Sequence, residues 1–175
     1  MTDATANADA LLAELTRLGE IAAGILDGEE VKRIITERAM HYIANPKPEH
    51  KYLGGDYFDV DHELFGRTKR LLIRIARLSD VQVSASAWVP VPGQAQVTVA
   101  VHNGVRHRYY DFGQEAADTP REMQEAFGIG EIVRVAPEPD RAVATVLAPV
   151  RDSLGEVVAV IELTAPLEGQ APAWS

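Results

Sequence analysis

One change of period divides this chain. Up to Ser79-Asp80 the apolar residues recur every three or four positions, and beyond it they recur every two. The first spacing lines one face of a helix and the second one face of a strand, so a helical N-terminal part must precede a sheet. Leu11, Leu15, Leu18, Ala22 and Ile25 form a narrow stripe, the kind that seats a helix on its own domain or on a second copy. Asp27-Gly28-Glu29-Glu30 has the form of a helix start, with Asp27 as cap and acids near the positive end of the dipole. That helix is expected to run through Val31, Ile34, Ile35, Ala39 and Tyr42 to Asn45-Pro46. Residues 45–60 are loop-like, and Asp61 opens a third helix with Leu64, Thr68, Leu71, Ile75 and Leu78 on one stripe. Its other faces carry Arg67, Lys69, Arg70, Arg74 and Arg77, which are expected to neutralise acids of the preceding helix or of a second copy.

After the change of period, Val83, Ala85, Ala87 and Val89 alternate with Gln82, Ser84, Ser86 and Trp88. Pro92-Gly93 turns the chain into a second strand with Val97, Val99 and Val101 on one face. Asn103-Gly104 predicts a two-residue type I′ turn that pairs His102 with Val105. Under that register a third strand begins at Val105, with Arg106, Arg108 and Tyr110 facing with the valines and His107, Tyr109 and Asp111 facing with His102. Thr119-Pro120-Arg121-Glu122 resembles a capping box ahead of a short helix ending near Gly128 or Gly130. Two β-branched runs, Ala142 to Val150 and Val157 to Leu163, close the domain as a strand pair, with Pro149 marking a bulge or an edge. The organisation expected is a flexible segment over 1–8, a helical region over 9–80, a sheet with a crossover helix over 81–165, and a tail over 166–175. The fold class is α+β with about five mostly antiparallel strands.

Composition removes several functions. The net charge of −9 opposes phosphate backbones and anionic lipid, so no nucleic-acid partner is expected. The absence of cysteine removes thiolate catalysis, disulfides and Cys-ligated metals. No apolar run reaches the roughly 18 residues of a membrane span. No nucleophile elbow, phosphate-binding loop or zinc-helix motif is present, so neither an enzyme nor a cofactor is expected. The acidic group Asp56, Asp59, Asp61, His62 and Glu63 lacks calcium-loop spacing, and His102 with His107 lacks a third ligand, so no metal is expected.

The run Leu147-Ala148-Pro149-Val150-Arg151-Asp152-Ser153-Leu154-Gly155-Glu156-Val157-Val158-Ala159-Val160 resembles the closing hairpin of PAS-like sensor modules, and GAF domains share much of it. Long helices, a hairpin from Val81 to Asn103, a third strand, a short helix and the closing pair together resemble the order of Cache domains, the ligand-binding sensors of bacterial receptors. The resemblance covers roughly residues 8–165. It implies a five-stranded antiparallel sheet, a long N-terminal helix packed on one face and a small-molecule pocket on the other. It further implies a homodimer through the N-terminal helices and signalling into a membrane span. Where many Cache domains hold a ligand-binding aspartate at the end of the closing strand, this chain has Glu162 and Thr164 nearby, so amino-acid specificity is not implied. The compartment stays open: extracytoplasmic for an excised sensor, cytoplasmic otherwise.

The candidate ligand-binding residues are Trp88, Arg106, Arg108, Tyr109, Tyr110 and Asp111. Trp88 shares a strand face with serines, which makes it either a pocket wall or part of a second core. Arg106 and Arg108 either clamp a ligand carboxylate or extend to water. Tyr109, Tyr110 and Asp111 are placed at the pocket rim. Glu162 alternates with Val158 and Val160, and an outward, solvated carboxylate is its expected state. The ligand expected is a small organic molecule, a carboxylate or an amine. The alternatives are a GAF-type module acting through protein contact and a small enzyme on the same scaffold.

Overall fold

Leu15, Leu18 and Ala22 are fully buried in a computed structural model of the chain, which describes residues 2–45, 59–105, 119–136 and 142–167. They lie on helix α1 (Thr2–Ile25), which packs across the two strands β4 (Val143–Arg151) and β5 (Val157–Pro166). The stripe seen in the sequence is therefore used against the chain's own sheet. Small side chains permit the close fit: a Cβ on Gly19 would stand 3.1 Å from that of Ala148. Ile25, at the end of the stripe, is 52% exposed, because the chain turns away at Asp27.

Asp27 caps as expected, its carboxylate accepting from the Glu29 amide at 2.8 Å, but the helix it starts is short. The single helix predicted from the Asp27 cap to Asn45 is two pieces, α2 (Gly28–Val31) and α3 (Glu37–Ala44). Ile35 leaves the helical path to bridge Val60, and the Thr36 hydroxyl accepts from the Ala39 amide to start α3 anew. Apolar spacing did not reveal the break, because Ile34 and Ile35 are buried on either path. Helix α4 (His62–Ala76) begins on the Asp61 cap and buries Thr68, Leu72, Ile75 and Ala76. Arg67 pairs with Glu30 and with Glu63, the neutralisation expected of the basic helix. Among the described residues no helix is long and apolar enough to cross a membrane.

The sheet is five-stranded and antiparallel throughout, in the order β2-β1-β5-β4-β3, with β1 (Ser84–Pro90), β2 (Val97–His102) and β3 (Val133–Val135). The α+β class agrees with the sequence reading, and of the five strands among the described residues β3 was not anticipated. Its three residues are too few for an alternation to register. The third strand predicted from Val105, with Arg106, Arg108, Tyr109, Tyr110 and Asp111, lies outside the described residues. Pro149 stands beyond the stretch of β4 that β3 covers, where β4 is an edge on that side among the described residues, as its proline suggested.

Asn103 does not form the expected type I′ turn. That turn needs positive φ at both central residues, and only Gly104 has it, at 92°. The Asn103 side chain instead locks β2 to the start of β1. Its Oδ1 accepts from the amides of Ala85 (3.2 Å) and Val105 (3.1 Å), and its Nδ2 donates to the Val83 carbonyl (2.9 Å). Thr119 likewise is no capping box. Its hydroxyl donates to the Ala95 carbonyl at 2.9 Å, and α5 (Arg121–Ile129) starts without a side-chain cap.

The two roles proposed for Asn103 separate by substitution. Asn103→Gly keeps any turn propensity but deletes three side-chain hydrogen bonds, two of them buried, and urea unfolding should show a loss of about 2–3 kcal/mol. A neutral or stabilising effect would mean that the residue acts as a turn former after all.

Candidate functional site

The two faces of the sheet are buried to the same degree but differ in chemistry. On the face under α1, strand β1 presents Ala85, Ala87 and Val89, β5 presents Ala159, Ile161, Leu163 and Ala165, and β4 presents Ala144, Val146, Ala148 and Val150. All are apolar. The opposite face divides into two zones. Its apolar zone holds Trp88, Val97, Val99, Val133, Leu147 and Val160, covered by Met123, Ala126 and Phe127 of α5. Its other zone is polar, and the pairing register assembles it in two cross-strand rows. Ser84 stands opposite Thr164, which stands opposite Thr145, and Ser86 stands opposite Glu162. All five are less than 9% exposed.

A carboxylate removed from water requires hydrogen bonds to remain tolerable. Glu162 is only 5% exposed, and its Oε2 accepts from the Trp88 indole Nε1 at 2.9 Å. The expectation of a solvated glutamate is thus overturned. The alternation placed it on the right face, but the burial of that face depends on elements distant in sequence. Trp88 is 2% exposed and belongs to the second apolar cluster, with its indole N–H reaching diagonally across to the carboxylate on β5. Ser84 donates to the Val105 carbonyl at 2.7 Å. Thr145 Oγ1 is buried without a hydrogen-bond partner. His102, half-buried opposite Ser86, accepts the Gly104 amide on Nδ1 at 3.0 Å, which leaves Nε2 as the protonated nitrogen of the neutral ring.

Of the residues predicted for ligand binding, Trp88 belongs to this site, while Arg106, Arg108, Tyr109, Tyr110 and Asp111 lie outside the described residues. Sequence reasoning passed over Ser84, Ser86, Thr145 and Thr164 as site residues. Each is an ordinary strand residue alone, and only the register of three strands brings them together. The acidic group near residue 60 is divided among structural tasks, since Asp59 pairs with Arg38 at 2.5 Å and Asp61 caps α4. Asp56 lies outside the described residues, as does His107. Among the described residues no three His, Asp or Glu side chains are grouped to hold a metal.

The Trp88–Glu162 bond and the unpartnered Thr145 hydroxyl should have opposite effects on stability when removed. Trp88→Phe keeps an aromatic ring but leaves Glu162 without its indole donor, and urea unfolding should register a loss of about 1–3 kcal/mol. Thr145→Val deletes an unpartnered buried hydroxyl and should leave stability unchanged or raise it by up to about 1 kcal/mol. Equal losses in both variants would contradict this geometry. No family model matches the chain, and no curated protein is significantly similar to it.

Proposed function

We propose that the chain is a small-molecule-sensing domain of the Cache, PAS-like kind, belonging to a bacterial signal-transduction receptor, and that it binds its ligand without chemistry on the polar strip. The observation that carries this reading is the asymmetry of the sheet. Both faces exclude water, yet one is wholly apolar on β1, β4 and β5 while the other buries a carboxylate and four hydroxyls. Stability alone favours apolar side chains at such positions, and function is the usual reason for departing from them. An apolar wall with a few fixed polar groups is also the usual make-up of a small-ligand site. The five-stranded antiparallel sheet and the helix across its other face agree with what the resemblance implies. Ligand contacts on the strip would favour one of two arrangements of sheet and helices, which is how binding becomes a signal. A homodimer through the N-terminal helices would use the outward faces of α1 and α4, since the inward stripe of α1 is buried.

A specific observation favours a second reading, a GAF-type regulatory module acting through protein contact. Trp88 is packed within an apolar cluster rather than lining open space. The two separate in a thermal-shift screen with amino acids, mono- and dicarboxylates, amines and purines, followed by calorimetry on each hit. A sensor gains about 2.7 kcal/mol at a ligand concentration a hundredfold over Kd, a Tm rise of several degrees. Glu162→Gln and Thr145→Val should each weaken that binding about tenfold or more while the protein stays folded. Silence across the screen, or a hit that neither substitution weakens, would overturn the sensor reading.

A further inference from the structure

The turn that joins β4 to β5 touches elements on both sides of the sheet. On one side it meets the α1–α2 corner. Lys32 Nζ reaches Asp152 Oδ2 at 3.1 Å and Glu29 Oε2 at 2.8 Å, and the Ser153 hydroxyl donates to Glu29 Oε1 at 2.9 Å. Backbone meets backbone there as well, for a Cβ on Gly28 would collide with the carbonyl of Arg151. On the other side the turn holds the end of α5. Arg151 Nη2 donates to the Gly130 carbonyl at 2.9 Å while Nη1 donates to the Gly155 carbonyl at 2.6 Å, so one guanidinium ties the helix to the turn. Gly130 is the left-handed C-cap of α5, at φ 66°, and a Cβ there would strike the same guanidinium.

The turn itself is braced from within. Asp152 Oδ1 accepts from the amides of Leu154 (3.0 Å) and Glu156 (3.1 Å), and the Asp152 amide donates to the Glu156 carbonyl at 3.0 Å. Burial opposes the Asp152 charge, but Lys32 and the two amides outweigh it and hold the carboxyl below the ordinary aspartate range. A loose surface loop would absorb a displacement of either neighbour. This one has its backbone fixed by the side chain that also bonds α2, and the adjoining Arg151 bonds α5. A rigid element with partners on two sides is what transmits a displacement from one to the other.

We propose that Arg151 and the turn Asp152–Gly155 form the mechanical link between α5, which covers the Trp88 end of the far face, and the corner where α1 passes into α2. Any ligand that moves α5 then reports to the N-terminal helix through this turn, and that part of the inference rests on the sensor reading. The link itself does not, and it is testable without a ligand.

Coupling is reciprocal, so each side must feel a change made on the other. Amide hydrogen exchange on the full chain reads this out. Arg151→Lys, which cannot span both carbonyls, should speed exchange at 28–32 about fivefold, beyond its direct effect at 128–130. Lys32→Met should do the same at 126–130, although it touches nothing there. Ser153→Ala, which loses only its bond to Glu29, is the milder variant and should accelerate 126–130 by a smaller factor. Arg17→Lys, on an exposed pair with Glu14, is the control and should move neither segment. Acceleration confined in every variant to the side carrying the substitution would overturn the link, whatever the ligand screen gives. Cross-sheet acceleration with a silent screen would leave the link standing and remove the sensor reading alone.

Discussion

A carboxylate inside a sheet face is tolerable only while its hydrogen bonds hold, and the bond between Glu162 and the Trp88 indole is where this requirement bears on the structure. It fixes the rotamer of the largest side chain in the far-face cluster. The indole shares the far-face cluster with Met123, Ala126 and Phe127 of α5. The apolar zone and the polar strip are accordingly one construction, with Trp88 as their shared member. The opposite face makes no such demand. There Leu15, Leu18 and Ala22 of α1 meet a surface of alanine, valine, isoleucine and leucine, and close approach at Gly19 brings the two layers together.

The division of labour between the faces has a physical logic. Stability comes from the side packed by α1, where every position on the central strands is apolar. The far face forgoes some of that stability by burying hydroxyls and a carboxyl group. Such groups hold a polar ligand well, because a site that has excluded water strengthens each hydrogen bond formed in it. The turn between β4 and β5 lies where the layers on both faces meet, held to α2 through Lys32 and Ser153 and to α5 through Arg151.

What the sequence discloses follows from the range of each interaction. The period of Leu11 to Ala22, the alternation through β1 and the Asp61 cap are local, so helix, strand and start signal could be read from neighbours. Asn103 and Thr119 misled for the opposite reason. Both have strong local preferences, for a turn and for a cap, but here each satisfies distant backbone groups, those of Val83 and Ala85 in one case and Ala95 in the other. The break at Ile35 was hidden because its partner, Val60, comes from across a loop. For the candidate site, Trp88 was identifiable as an aromatic on the serine side of its strand. The burial of Glu162 was not, since it depends on a strand register joining residues 84–88 to residues 160–164.

The central claim is that the Trp88–Glu162 bond lies in a water-excluding strip that responds to a small ligand. The most direct measurement is the indole N–H resonance of Trp88, identified among the two tryptophans by its loss in Trp88→Phe. The account predicts a proton protected from solvent exchange in the free protein, whose frequency moves as a binding metabolite is titrated in. An indole proton that exchanges as freely as an exposed one, or that stays fixed while a ligand saturates the protein, would contradict it.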